Sequence, residues 1–225
     1  SKRDGAVDVM DYKRQGFLPE ALLNFLVRLG WSHGDQEIFS KEEMLELFNP
    51  NDINKSASAY NGEKLEWINT QYIKTLPADR MIETLKEYGC NLEAFPKKEL
   101  LVDILRDRAK NMVEFAAMAN AIANEPREYD QKAVDKFLKA DALETLASFK
   151  QALQEADQLE DASEFEKLAK EFMSEHDLKL KNLAQPLRIA IVGSVVSPSI
   201  FEVLSVVGYE NVIKRINNLL KTKGV

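Results

Sequence analysis

Between Pro19 and Gly30 the apolar residues Leu22, Leu23, Phe25, Leu26 and Leu29 recur at helical spacing, with proline in the first turn and glycine as a natural stop. The same rhythm returns along most of the chain. Ser40 stands three residues before Glu43 as a capping box, and Met44, Leu45, Leu47 and Phe48 then run to Asn49-Pro50. Residues 51–61 are polar and turn-rich and predict a loop, with a tight turn at Asn61-Gly62. Leu65, Trp67, Ile68 and Tyr72 predict a helix over 63–72, and Leu76-Pro77-Ala78-Asp79 opens another over 80–88 that ends at Gly89. After Pro96, the residues Leu100, Leu101, Ile104, Leu105, Met112 and Phe115 keep one spacing and predict a single longer helix.

Pro126 breaks the pattern, and helical periods follow over 130–140, 142–156 and 164–175. The β-branched run Ile189-Ala190-Ile191-Val192-Gly193 would suit a strand, but one run of five residues makes no sheet. A buried helix feeding a loop at Gly193 is expected instead. Helices over 199–208, started by Pro198, and over 210–221 close the chain. The expected fold class is all-α. Composition shifts near Thr75-Leu76-Pro77 and Asn124-Glu125-Pro126 predict three domains, at 1–75, 76–125 and 126–225. Neither an internal repeat nor a low-complexity tract interrupts them.

With 225 residues, 45% of them hydrophobic, the chain has ample material for packed cores, and nine Gly with seven Pro favour helices over turn-rich β structure. A lone cysteine, Cys90, makes no internal disulfide, which points to a reducing cytoplasmic home. Every apolar run is too short to span a membrane, and the N-terminal residues lack a signal peptide's apolar core. The net charge of −7 argues at first against a nucleic-acid partner, but it is unevenly spread. From Asp141 to Asp177 eleven acids face three lysines, whereas from Lys179 to Lys223 seven basic residues face only Glu202 and Glu210. A phosphate chain can follow the second stretch. Solvated helix faces of both signs would give the same counts.

Enzyme-like constellations are sparse. His33 lies in Ser-His-Gly-Asp, an exposed-turn composition, and His176 at a helix end, where the dipole suits it without catalysis. Two histidines and one cysteine so far apart offer no zinc spacing, and Gly193-Ser194 lacks the further glycines of a phosphate loop.

Two anchors carry a family resemblance over nearly the whole chain. Ser1-Lys2-Arg3-Asp4-Gly5-Ala6, then Gly16-Phe17-Leu18-Pro19-Glu20-Ala21-Leu22 and Leu29-Gly30-Trp31, resembles the region after the catalytic domain of bacterial-type glutamyl-tRNA synthetases, a class I family. Gln185-Pro186-Leu187-Arg188-Ile189-Ala190-Ile191-Val192-Gly193, then Val196-Ser197-Pro198-Ser199-Ile200-Phe201-Glu202-Val203-Leu204 and Gly208, resembles the anticodon-loop platform of the same family. The resemblance implies a stem-contact helical region followed by a two-part α-helical anticodon-binding cage. It implies tRNA(Glu) as the partner, no membrane partner, and a monomer.

What the resemblance carries over is specific to residues. Lys2 matches the second lysine of the ATP signature loop, which stabilises charge during glutamate activation in the parent enzyme. Arg188 matches the arginine at the first anticodon base. Ser197, Pro198, Ile200 and Phe201 match the loop and helix start that hold the splayed bases. Arg108 matches the position at the third anticodon base, with Arg106 as the alternative. ATP and Mg²⁺ belong to the parent enzyme. The resemblance implies a nucleotide fold upstream of Ser1, so the fragment itself is expected to need no cofactor and no metal, and to be catalytically inactive. The rival expectation, from another class, is an all-helical protein-interaction module with no RNA role, which the overall acidity favours.

Overall fold

A computed structural model describes residues 8–54 and 60–225. Among the described residues there are thirteen α-helices and no sheet, only an isolated bridge between His33 and Gln36. The all-α expectation holds. By its internal contacts the chain forms two compact units, one running to Asn91 and including Arg106–Ala117, the other comprising Leu92–Leu105 and Met118–Val225.

The first unit contains α1 (Val9–Arg14), α2 (Pro19–Gly30), α3 (Lys41–Leu47), α4 (Gly62–Thr75) and α5 (Ala78–Glu87). The sequence signals locate most of their ends. Ser40 and Glu43 exchange the two reciprocal bonds of the expected capping box. Asn61-Gly62 does not form the expected tight turn. Asn61 instead caps α4, its side chain accepting from the Lys64 amide at 3.1 Å, and Gly62 is the first helical residue. Helix α2 packs on α4, and two fully buried asparagines serve as polar ties. Asn24 accepts from the Phe39 amide at 2.8 Å and donates to Glu37 O at 2.9 Å. Asn69 accepts from the Leu18 amide at 2.9 Å and donates to Lys110 O at 2.7 Å. Both amides thereby offset the desolvation that burial imposes on them.

The second unit opens with α6 (Lys98–Leu105), and α7 (Met112–Ala123) begins in the first unit and ends in the second. The single long helix expected across this region is therefore broken at residues 106–111. The cause lies thirty residues earlier. The Arg106 guanidinium donates to the carbonyls of Ile73 at 3.0 Å and Leu76 at 2.6 Å, closing the C-terminus of α4. Asp107 pairs with Lys74 at 2.9 Å, which holds its carboxyl below the usual range. Asn111 then restarts the helix by accepting from the Glu114 amide at 2.9 Å.

Next come α8 (Gln131–Phe137), α9 (Ala140–Glu155), α10 (Ala162–Glu175), α11 (Leu180–Val192), α12 (Ile200–Val207) and α13 (Tyr209–Thr222). Helix α13 packs on α9 and α11, while α12 lies against α10 and α6. The β-branched run at 189–192 is helical and buried, as expected, and forms the last turn of α11. Pro186 stands inside that helix, where it removes one backbone donor and yet is buried among apolar neighbours. Cys90 is fully buried, and burial pushes its thiol up to about 11, so it stays protonated and unreactive at neutral pH.

Candidate nucleic-acid interface

Helix α11 ends at Gly193, whose φ of +79° is the left-handed conformation that glycine adopts without strain. A side chain is excluded there on a second ground. A Cβ would lie 2.9 Å from Glu128 O, because residues 126–130 pass directly over the turn. Gly193 O also accepts from the Asp130 amide at 2.8 Å. The turn at the end of α11 is thus pinned on both sides, and the loop 194–199 leaves it in a fixed direction.

Arg215 secures the same corner from beneath. It is 5% exposed, and its guanidinium donates to Ile122 O at 2.9 Å, Ile191 O at 2.7 Å and Ala123 O at 3.3 Å. The ends of α7 and α11 are thereby joined to α13. Burial lowers the pKa of Arg215 and nearby Glu125 opposes that shift. Glu125 itself pairs with Lys214 at 3.0 Å and accepts from Asn218, and these bonds hold its carboxyl below the ordinary range.

On this base the structure brings Arg188 and Ser197 together. Arg188 Nε donates to Ser197 Oγ at 3.1 Å, and the hydroxyl donates onward to Pro198 O at 3.0 Å. That is the only hydrogen bond of the Arg188 side chain among the described residues, and it forms no ion pair with the acidic stretch. The guanidinium is half-buried, and burial lowers its pKa. Its two terminal nitrogens are left as a fork of free donors. Val196, 80% exposed, stands at the tip of the loop. It belongs to the second sequence anchor, but an isolated valine in a loop carries no pattern that assigns it a role.

Pro198, Ile200 and Phe201 sit differently. Ile200 is 2% and Phe201 8% exposed, so both belong to the core of the second unit. Helix α12 begins at Ile200 rather than at the expected Ser199. Its N-cap, Ser199, makes no side-chain hydrogen bond to the first turn, which leaves those amides uncapped. Arg106 and Arg108 belong to the first unit. Arg106 is committed to the α4 carbonyls, whereas Arg108 is exposed and makes no hydrogen bond or ion pair among the described residues. Lys2 lies outside the described residues.

Neither histidine has catalytic company. His33 is exposed and stacks on Trp31, while His176 caps α10, its ring 4.2 Å from that of Phe172 and its Nδ1 3.0 Å from Phe172 O. Among the described residues no group of three or more His, Cys, Asp or Glu is placed to hold a metal, and no helix is long and apolar enough to cross a membrane.

Residues 51–220 match the family described as anticodon binding domain, and residues 1–67 match the class I tRNA synthetase (E and Q) catalytic domain. The chain is 57% identical over 221 residues to glutamate–tRNA ligase 2 of Campylobacter concisus, covering 98% of this chain and 48% of that protein. It is 49% identical over 222 residues to glutamate–tRNA ligase 1 of Aliarcobacter butzleri, covering 98% and 47%. The crystal structure of a glutamate tRNA ligase from Elizabethkingia meningosepticum, in complex with its amino acid, superposes with a TM-score of 0.81 at 24% identity. It covers 99% of this chain and 48% of that one, and it establishes the shared fold. The chain spans about half the length of the relatives it matches.

Proposed function

The chain belongs to the anticodon-binding-domain family, and from that membership we propose that it is the tRNA-recognition half of a glutamate–tRNA ligase. Its partner in this reading is tRNA(Glu), met as a monomer in the cytoplasm. Residues 1–75 serve the acceptor-stem side, and 76–125 and 126–225 serve the anticodon. The rival reading, an all-helical interaction module without RNA, is not favoured, since the match to the anticodon-binding family runs through most of the chain.

The observation that carries this reading is the state of Arg188. A half-buried guanidinium fixed through Nε to Ser197, with both terminal nitrogens unbonded, is a preorganised donor fork. Cytosine presents O2 and N3 as two acceptors to such a fork, whereas uracil presents an N3–H donor and breaks the pattern. Arg188 therefore suits the first anticodon base. Bases unstacked from a tRNA loop are read by such hydrogen bonds and by stacking on apolar or guanidinium planes. Val196, exposed on the loop that carries Ser197, offers an apolar surface. Ser197 and Pro198 hold the loop, while Ile200 and Phe201 anchor it from the core, with the uncapped amides of α12 suited to a phosphate. Arg108, exposed and without a hydrogen bond or ion pair among the described residues, suits the third base better than Arg106, whose guanidinium already closes α4.

In the parent enzyme, ATP and Mg²⁺ would supply glutamate activation, with Lys2 steadying charge as pyrophosphate leaves. The described residues hold no cluster suited to a metal, and no step through ATP or Mg²⁺ is assigned to them. The test is charging by the full-length enzyme. Arg188→Ala should slow charging of a tRNA with cytosine first more than one with uracil first, by roughly 1–3 kcal/mol in analogy with base readout in DNA. Arg108→Gln should narrow the preference between cytosine and guanine at the third position. Equal losses on every tRNA would remove both residues from base reading.

A further inference from the structure

Lys181 stands seven residues before Arg188 on α11. Seven residues bring an α-helix back to within about 20° of the same face, and about 10 Å along its axis. Between the two cations, on the same stripe, lies Gln185, whose Oε1 is buried without a hydrogen-bond partner. Helix α8 packs against α11. Here Lys181 Nζ lies 5.8 Å from the Phe137 ring centroid, and Lys136 Nζ lies 5.2 Å from the same ring. Lys132 and Lys139 flank that ring in sequence, and Lys179 is the N-cap of α11. None of these five lysines enters an ion pair among the described residues, although Lys170 and Lys214 of the same unit are paired. Asp135, the nearest acid on α8, instead accepts from Gln131 at 2.6 Å.

Two ammonium groups sharing one phenyl ring, with no ion pair to a carboxylate among the described residues, form a local excess of positive charge in an acidic protein. Single-stranded nucleic acid is held elsewhere by this pairing of cations with an aromatic ring. We propose that Lys136, Phe137 and Lys181 form a backbone contact for the RNA strand that reaches Arg188, gripping phosphates about three stacked nucleotides away from the base that Arg188 reads. The proposal rests on the tRNA-binding reading above. The lysines supply sequence-independent attraction, Phe137 fixes their stems and offers an apolar face to ribose or base, and Arg188 supplies selection. The unmet acceptor on Gln185 lies between them, where a ribose 2′-hydroxyl is the matching donor once the amide turns outward.

The experiment measures binding of the 225-residue chain to two tRNA(Glu) transcripts, one with cytosine and one with uracil first in the anticodon, across a salt series. Lys136→Ala/Lys181→Ala is compared with wild type and with Lys170→Ala, whose lysine already pairs with Glu166. Circular dichroism checks that each variant is folded. The double variant should weaken both transcripts by the same factor and leave their ratio unchanged. The slope of log K against log salt should flatten by about 1.4–1.8, the value for two lost phosphate contacts. Lys170→Ala should change none of these. An unchanged slope in the double variant, while wild type binds in a salt-dependent and base-dependent way, overturns the patch and spares the functional reading. Failure of wild type to bind tRNA at all overturns both.

Discussion

Arg188 and Ser197, nine residues apart, meet across the Gly193 turn with Nε 3.1 Å from Oγ. The bond takes the one guanidinium donor that does not point forward and leaves the terminal pair free. Because Ser197 also donates to Pro198 O, the hydroxyl is oriented as an acceptor toward the arginine. A loop residue thereby sets the aim of a helix residue.

Removing the Ser197 hydroxyl should loosen that aim without removing the charge. Ser197→Ala is expected to reduce the preference for cytosine over uracil at the first anticodon base about fivefold, the worth of a hydrogen bond of about 1 kcal/mol. Ser197→Thr, which keeps the hydroxyl, should retain the preference. Binding of the two transcripts by each variant decides it, and an unchanged ratio in Ser197→Ala would show that the loop does not orient Arg188.

Arg215 makes a different kind of prediction, since the side chain itself is buried. Arg215→Ala leaves the carbonyls of Ile122, Ala123 and Ile191 without their donor at a buried corner. The expected loss is about 3 kcal/mol of unfolding free energy, from desolvated acceptors left unpaired. Urea denaturation measures it, and a loss below about 1 kcal/mol would mean that water or a neighbour replaces the guanidinium.

Glu125 gives the pair with Lys214 a pH signature. Its carboxyl is held below the ordinary value, first by the hydrogen bond from Lys214 and then by Asn218. The unfolded chain therefore takes up the proton first as pH falls, so the contribution of Glu125 is complete above about pH 4.3 and shrinks below it. Both partners are more than a third exposed, which limits the effect to under about 1 kcal/mol. The stability difference between wild type and Glu125→Gln should be present at pH 7 and diminish by pH 3. A difference that stays constant would place the stabilisation in packing instead.

Helix ends were legible wherever a local device sets them. Pro19 at the start of α2, the Ser40–Glu43 box and the glycine after α11 each act within a few residues, so periodicity and capping suffice. Helix α1 was not legible, because it has six residues and none of them is buried. The break at 106–111 escaped for the opposite reason: its cause is a guanidinium reaching carbonyls at 73–76, a contact with no trace in local spacing. Asn24, Asn69 and Arg215 likewise read as ordinary polar positions until their distant partners are placed. At the candidate site, composition and charge gave nothing about Arg188, and only the family resemblance singled it out. The Ser197 bond that leaves its fork open belongs to the fold, as does the placement of Lys181 two turns earlier on the same face.

Reading an anticodon is the central property proposed for this chain. The most direct measurement is the affinity of the 225-residue chain for a tRNA(Glu) transcript and for the same transcript with its first and third anticodon bases replaced, at one fixed salt concentration. At roughly 1–3 kcal/mol per misread base, replacement should weaken binding at least tenfold while the salt slope stays the same. Equal affinity for both transcripts would contradict the claim and leave only a surface that attracts RNA without reading it.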